Sequence, residues 1–179
     1  MRFASIWAQD HRGVIGSGTA MLWRVPADSR FFRQMTIGSP VIMGRASWEV
    51  LGEPLPQRVN IIVTSQPDYR AEGGVVVHSL DEAFERGRAE AARLGSDVVW
   101  VAGGARIYRE TMDRVDELVV SQLDLTVPGE LADLAHVPPV DERTWQVDPT
   151  RSDPGWREQS GDARWKVITY VRRPSEPND

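Results

Sequence analysis

The sequence predicts a single-domain α/β fold: a central, mostly parallel sheet with an antiparallel C-terminal edge hairpin, flanked by helices. Three observations point there. Short unbroken apolar runs, such as PVIMG over 40–44 and VNIIVT over 59–64, suit strands buried on both faces of a sheet. Helix signals fall between those runs, and strand alternating with helix argues for parallel pairing. The last two apolar runs lack a clear helix between them, which favours antiparallel pairing at that edge.

Taken in order, strands are expected at 2–9, 40–44, 59–64, 75–78, 97–103, 115–124 and 164–171. Pro26 opens the first helix, because proline fits the first helical position. Ser79 with Glu82 three residues on is a capping box, and its helix runs to Gly95. Shorter helices start near Arg45 and Gly104. The segment 151–165 reads as a turn-rich loop, and 173–179 as a polar tail beyond a domain spanning 1–172.

The 179 residues are 41% hydrophobic and 26% charged, enough for one proper core. The net charge is -5 with scattered basic residues, so no electrostatic footprint of a nucleic-acid binder is present. With no cysteine, disulfides, thiolate metal sites and a cysteine nucleophile are excluded. His11, His78 and His136 form no ligand-spaced pair, so no metal is expected. No apolar run reaches the length of a membrane span and the N-terminus is no signal peptide, so the expectation is a cytoplasmic protein without a membrane partner.

One acid stands out in MLWRVPADSRFF, residues 21–32. With Pro26 first in the helix, Asp28 lies in its first turn. Phe31, Phe32 and Met35 follow at i+3, i+4 and i+7 and share its face. Asp28 fits two roles. It can be a helix N-terminal acid, worth roughly 0.3–1 kcal/mol against the dipole. Alternatively, its apolar neighbourhood makes an unpaired charge costly, and it grips a ligand's planar N–C–N fork or serves as a proton source.

Two strand-glycine-helix junctions repeat one device, PVIMGRASWE over 40–49 and VVWVAGGARIYRE over 98–110. Each leaves backbone N–H groups at a helix N-terminus, where anions bind, and each puts an arginine in the first turn, Arg45 or Arg106. Each alone is also ordinary turn chemistry. Neither is a P-loop or a GxGxxG fingerprint. Thr64, Ser65 and Gln66 add polar groups at a strand's carboxyl end, where ligands of open α/β sheets bind. The glycine-rich stretch 10–23 fits a mobile lid or a plain surface loop.

Together these motifs resemble dihydrofolate reductase, over about Phe3 to Tyr170. The carriers are IWAQ (6–9), W-x-x-P-x-D (23–28), M-G-R-x-S-W (43–48), P-L-P-x-R-x-N (54–60), G-G-x-x-x-Y (103–108) and LVVSQLD (118–124). The opening IWAQ is similar to bacterial members of actinobacterial type. The resemblance implies the dihydrofolate reductase-like fold and NADPH-dependent reduction of 7,8-dihydrofolate to tetrahydrofolate, in one-carbon metabolism. Hydride goes to C6 and a proton to N5. It implies that Asp28 holds the pterin 2-amino group and N3, that Trp23 orders water near it, and that Ser121 hydrogen-bonds it. Met21 and Tyr108 complete the catalytic set. Ile6, Trp7, Ala8, Phe32 and Leu51 line the substrate site, and Arg58 clamps the glutamate tail's carboxylate as a bidentate guanidinium. The cofactor is implied at Ala8, Ile15, Gly16, Thr19, Met21, Gly44, Arg45, Ala46, Ser47, Thr64, Ser65, Gln66, and Gly103, Gly104, Ala105, Arg106, Ile107 and Tyr108. The Gly103-Gly104 bond is implied to be cis. Antifolate inhibitors are expected to compete at the pterin site, and the protein is expected to be a monomer.

The chain departs from the family at Leu22, where proline is frequent, and at Ala102 and Ala105, where larger or glycine residues are common. Glu53 bears on polyglutamate preference, and Gly129-Glu130-Leu131 on how a distal loop couples to the lid. Two rivals share the fold: another NADPH-dependent reductase, such as the riboflavin-pathway pyrimidine reductase, and a non-catalytic nucleotide-binding module. Asp28, Phe32, Arg58 and Ser121 argue against the first. The intact acid, tryptophan and both glycine junctions argue against the second.

Overall fold

The computed structural model describes residues 1–174, and the last part of the expected tail, 175–179, lies outside them. Strands β1 (Arg2–Gln9), β3 (Pro40–Gly44), β4 (Val59–Val63), β5 (Val75–Val77), β6 (Val98–Val101), β7 (Glu117–Leu123) and β11 (Ala163–Arg172) occupy the expected apolar runs. Between them lie α1 (Pro26–Thr36), α2 (Arg45–Leu51), α3 (Leu80–Leu94) and α4 (Ala105–Thr111). The sheet order is β10-β11-β7-β1-β6-β3-β4-β5. Pairing is parallel from β7 through to β5. Strand β11 runs antiparallel to β7, and β10 (Arg157–Ser160) closes an antiparallel hairpin on β11 at the edge.

Alternation along the strands splits the core in two, because successive side chains of a strand point to opposite faces. Ile42, Ile61, Val99 and Val101 face α3 and α4, meeting Phe84, Ala91 and Ile107. Val41, Met43, Ile62 and Trp100 face the other way, onto Phe31, Phe32 and Met35 of α1. Each such side chain contributes about 1.5–3 kcal/mol on full burial. Helix α3 keeps both sequence caps: Ser79 accepts from the Glu82 N–H at 3.1 Å, and Gly95 takes the left-handed conformation. The Glu82 carboxylate reaches back to the N–H of His78, one residue outside the cap.

Segments expected as loops hold further structure. Residues 151–165 contain β10, whose alternate pairing the turn-rich composition concealed. Strand β2 (Val14–Gly16), inside the 10–23 segment, pairs antiparallel with β8 (Ala135–His136). Strand β9 (Trp145–Val147) pairs with β11. The expected strand 97–103 ends at Val101, because Gly103 sits at φ +104 and cannot continue a strand. Among the described residues no helix is long and apolar enough to cross a membrane.

Candidate active site

The carboxyl ends of β1, β3, β4 and β6 open into one cleft of about 910 Å³. Open α/β sheets bind ligands at that end, because the helices that follow point their N-termini there. Its walls include Ile6, Trp7 and Ala8 from β1, Phe31 and Phe32 from α1, Val50 and Leu51 from α2, and Leu55. Asp28, Ser29 and Ser121 bring polar groups into this apolar part.

Asp28 sits on α1 as its spacing required. Burial pushes its carboxyl above the ordinary range, while the Ser121 hydroxyl beside it and the Arg157 cation pull the other way. An acid held between desolvation and donors suits a polar ligand fork or a proton-transfer role. Helix α1 has no side-chain cap of its own at Val25.

The two glycine junctions line the same cleft as that acid. Gly44 and Gly104 are the N-caps of α2 and α4, and neither offers a side-chain hydrogen bond, so the first N–H groups of both helices are left for a ligand. The junctions touch: the Gly44 N–H donates to the Gly103 carbonyl at 2.8 Å. A Cβ on Gly104 would come 3.0 Å from Ser47 Oγ, and one on Gly44 would come 3.1 Å from Ile107 Cγ1. The Gly103-Gly104 peptide is cis, as the resemblance implied. Gly44, Arg45, Ala46, Ser47, Thr64, Ser65, Gly103, Gly104, Ala105, Arg106, Ile107 and Tyr108 all line the cleft. Arg45 is bound to Glu49 at 2.8 Å and Arg106 to Glu110 at 2.6 Å, i,i+4 pairs on exposed helix faces. These residues fit a dinucleotide diphosphate with an extra phosphate beside Arg45 and Ser65.

Tyr108 is buried and its hydroxyl donates to the Ile6 carbonyl at 2.6 Å. Burial raises its phenol far above the ordinary range, and the hydrogen bond ties α4 to β1. Met21, Ile15 and Gly16 also line the cleft. Met21 is 59% exposed beyond β2, so this end of the 10–23 segment is solvated while β2 ties its root.

Four expected residues stand outside the cleft walls. Trp23 packs into the core cluster shared with α1. Thr19 is exposed, its hydroxyl 3.2 Å from that of Ser17. Gln66 is exposed, its N–H donating to Thr64 Oγ1. Arg58 follows Leu55 beyond the cleft's rim. Its Nε and one Nη are buried without a hydrogen-bond partner, which disfavours its charge. Asn60 holds the turn before it, bonding Leu55 through both N–H and carbonyl. A buried guanidinium edge with no acceptor is a place for a carboxylate.

Sequence reasoning missed several wall residues. Phe31 was legible as the i+3 partner of Asp28. Ala135 was not, because it comes from β8, far along the chain.

A family model described as dihydrofolate reductase matches residues 2–172. The dihydrofolate reductase of Mycobacterium tuberculosis is 35% identical over 171 residues, spanning 93% of this chain and 96% of that protein. That of Neisseria meningitidis is 36% identical over 159 residues, spanning 88% and 90%. The solved dihydrofolate reductase from Enterococcus faecalis, complexed with NADP(H) and RAB-propyl, superposes with a TM-score of 0.80. It is 32% identical and covers 97% of each chain.

Proposed function

This chain belongs to the dihydrofolate reductase family, and we infer that its cleft carries that family's reaction, NADPH-dependent reduction of 7,8-dihydrofolate to 5,6,7,8-tetrahydrofolate. The observation that carries the assignment of roles is Asp28, one carboxylate in an apolar wall of a cleft that two uncapped helix N-termini also line.

Asp28 accepts the pterin's 2-amino and N3 hydrogens as two parallel bonds, with Ser121 holding the carboxylate from β7. Ile6, Trp7, Phe32 and Leu51 sandwich the ring and keep water from the reacting face. Arg58 takes the carboxylate of the glutamate tail. NADPH, when bound, supplies hydride to C6. Residues Gly44–Ser47 and Gly103–Tyr108 hold its diphosphate, and Arg45, Thr64 and Ser65 its 2′-phosphate. Asp28 supports the proton at N5 by polarising the pterin and by ordering water, not by direct contact. Trp23 acts beside that water from the core side. Antifolates compete for the same fork. Residues 1–172 form the reductase domain, with 173–179 a polar tail. We further propose that the enzyme works as a cytoplasmic monomer.

The test is NADPH oxidation by the purified protein with dihydrofolate, beside Asp28→Asn. Turnover that needs both dihydrofolate and Asp28 is expected. No turnover by a wild type that still binds NADPH would move the assignment to another substrate on this fold, the pyrimidine intermediate first.

A further inference from the structure

The N-terminus of α1 is held from the far end of the chain. Val25 provides no side-chain cap, yet the Ala27 N–H donates to Ser160 Oγ at 2.9 Å. Asp162 grips the preceding residue twice: its carboxylate accepts from the Arg24 N–H at 2.7 Å, and its own N–H donates to the Arg24 carbonyl at 2.9 Å. Gly161 between them has φ +62, and a Cβ there would collide with the Arg24 carbonyl. The hairpin tip and the turn before Asp28 are thus in direct contact, and the tip carries the residue type that this contact needs.

On the same hairpin, Arg157 lies over Phe31, 5.6 Å from its ring centre, and over Trp165 at 4.4 Å. Phe31 is the i+3 neighbour of Asp28, so the guanidinium is held against the side of α1 that carries the acid. Asp153 holds it there through bonds of 2.6 and 3.1 Å. The other charged groups near this turn are Arg24 on the turn itself, Asp162 at the tip, and Arg30 and Arg33, exposed on α1. Strand β7 presents the neutral Ser121.

We propose that the C-terminal hairpin β10–β11 is a positioning element for Asp28: Ser160 and Asp162 clamp the turn that carries it, and Arg157 is a positioning cation beside it. The proposal rests on Asp28 being the acid of the reductase reaction. A fixed cation favours the ionised carboxylate, the form that accepts a two-donor fork. Arg157 does not touch the substrate and acts only through Asp28.

The experiment follows the carboxyl carbon of Asp28 by carbon-13 NMR against pH in the ligand-free protein, with the resonance identified by its absence in Asp28→Asn. Arg157→Gln, which can keep a hydrogen bond to Asp153, moves the midpoint up. Arg157→Lys leaves it nearer wild type. Asp153→Asn removes the neutralising partner and moves it down, the opposite sign from a neighbouring site. In turnover, Ser160→Ala lowers kcat about tenfold through misplacement of the acid, leaves NADPH affinity unchanged, and is rescued by Ser160→Thr. A midpoint unmoved in a folded Arg157→Gln or Asp153→Asn protein, or a Ser160→Ala kcat within about twofold of wild type, overturns the proposal. The titration uses no substrate, so its failure sinks the hairpin's role alone. A wild type that fails to reduce dihydrofolate sinks the assignment of the reaction instead.

Discussion

The carboxylate of Asp10 accepts a hydrogen bond from the backbone N–H of Val127 at 3.1 Å, tying the start of the 10–23 segment to the loop after β7. Asp10 is wholly buried and accepts two more, from the N–H groups of Arg12 at 2.7 Å and Val14 at 2.9 Å. Arg12 reaches across to the same loop, donating to the carbonyls of Val127 and Gly129. The departure at 129–131 therefore leaves the 10–23 segment coupled to this loop through backbone groups, the Val127 N–H and the Val127 and Gly129 carbonyls.

Asp10→Asn separates these bonds. The amide oxygen still accepts from Arg12 and Val14, but its nitrogen faces the Val127 N–H, donor against donor. Stability should fall by about 1–3 kcal/mol, read by urea unfolding. Faster amide exchange at 125–129 should accompany it. An unchanged urea midpoint would show that Arg12 alone carries the tie.

Asp28→Asn should cost at least about 100-fold in turnover at neutral pH while the fold is kept. Its stability should rise, on the order of 1 kcal/mol, because the acid's burial opposes its charge. The sign follows from the raised folded-state pKa. The folded protein holds that proton to higher pH than the unfolded chain, so stability is lost as pH rises from the ordinary carboxylate range through the raised value. The variant should lack that part of the pH dependence, and thermal melts of variant and wild type across a pH series starting at the ordinary carboxylate value of 3.8 decide it.

Arg58→Ala should raise KM for dihydrofolate roughly 10- to 100-fold, the loss of a charge-assisted pair. NADPH affinity should stay put. The melting temperature should not drop, because the substitution removes a guanidinium edge that is buried without an acceptor. A parallel loss of NADPH binding would mean that the turn held by Asn60 had collapsed.

Gly103→Ala should weaken NADPH binding and stability together. The residue has φ +104, and its Cβ would meet the Tyr108 ring at 3.1 Å, where the phenol is locked on Ile6. The strain is about 1–3 kcal/mol. Ala at Gly95, also at positive φ but with open space around it, serves as the control: it should cost stability without touching NADPH affinity.

Much of the site was legible because its parts are local. The i, i+3, i+4 and i+7 pattern after Pro26 put Asp28 on the face of Phe31, Phe32 and Met35 before any contact was known. The strand-glycine-helix junctions predicted two uncapped helix ends, since the first N–H groups of a helix have no intrahelical partner and glycine has no side chain to cap them. Strand positions followed from apolar runs within a residue or two at most edges. The i,i+4 partners of Arg45 and Arg106, Glu49 and Glu110, were equally readable in the sequence but passed over.

By itself, then, the sequence determined which residues are apolar, where helices start and stop, and which backbone groups stay free. The tertiary structure alone decided that Ser121 lies beside Asp28, that Ser160 and Arg157 meet Ala27 and Phe31 on the same helix, that Arg58 keeps a buried edge without an acceptor, and that 157–160 is a strand. Those facts depend on segments brought together by sheet order, and a pairing between distant segments leaves no period along the chain. The physical reason is that hydrogen-bond satisfaction and charge neutralisation are settled by whatever atoms lie within a few ångströms in space.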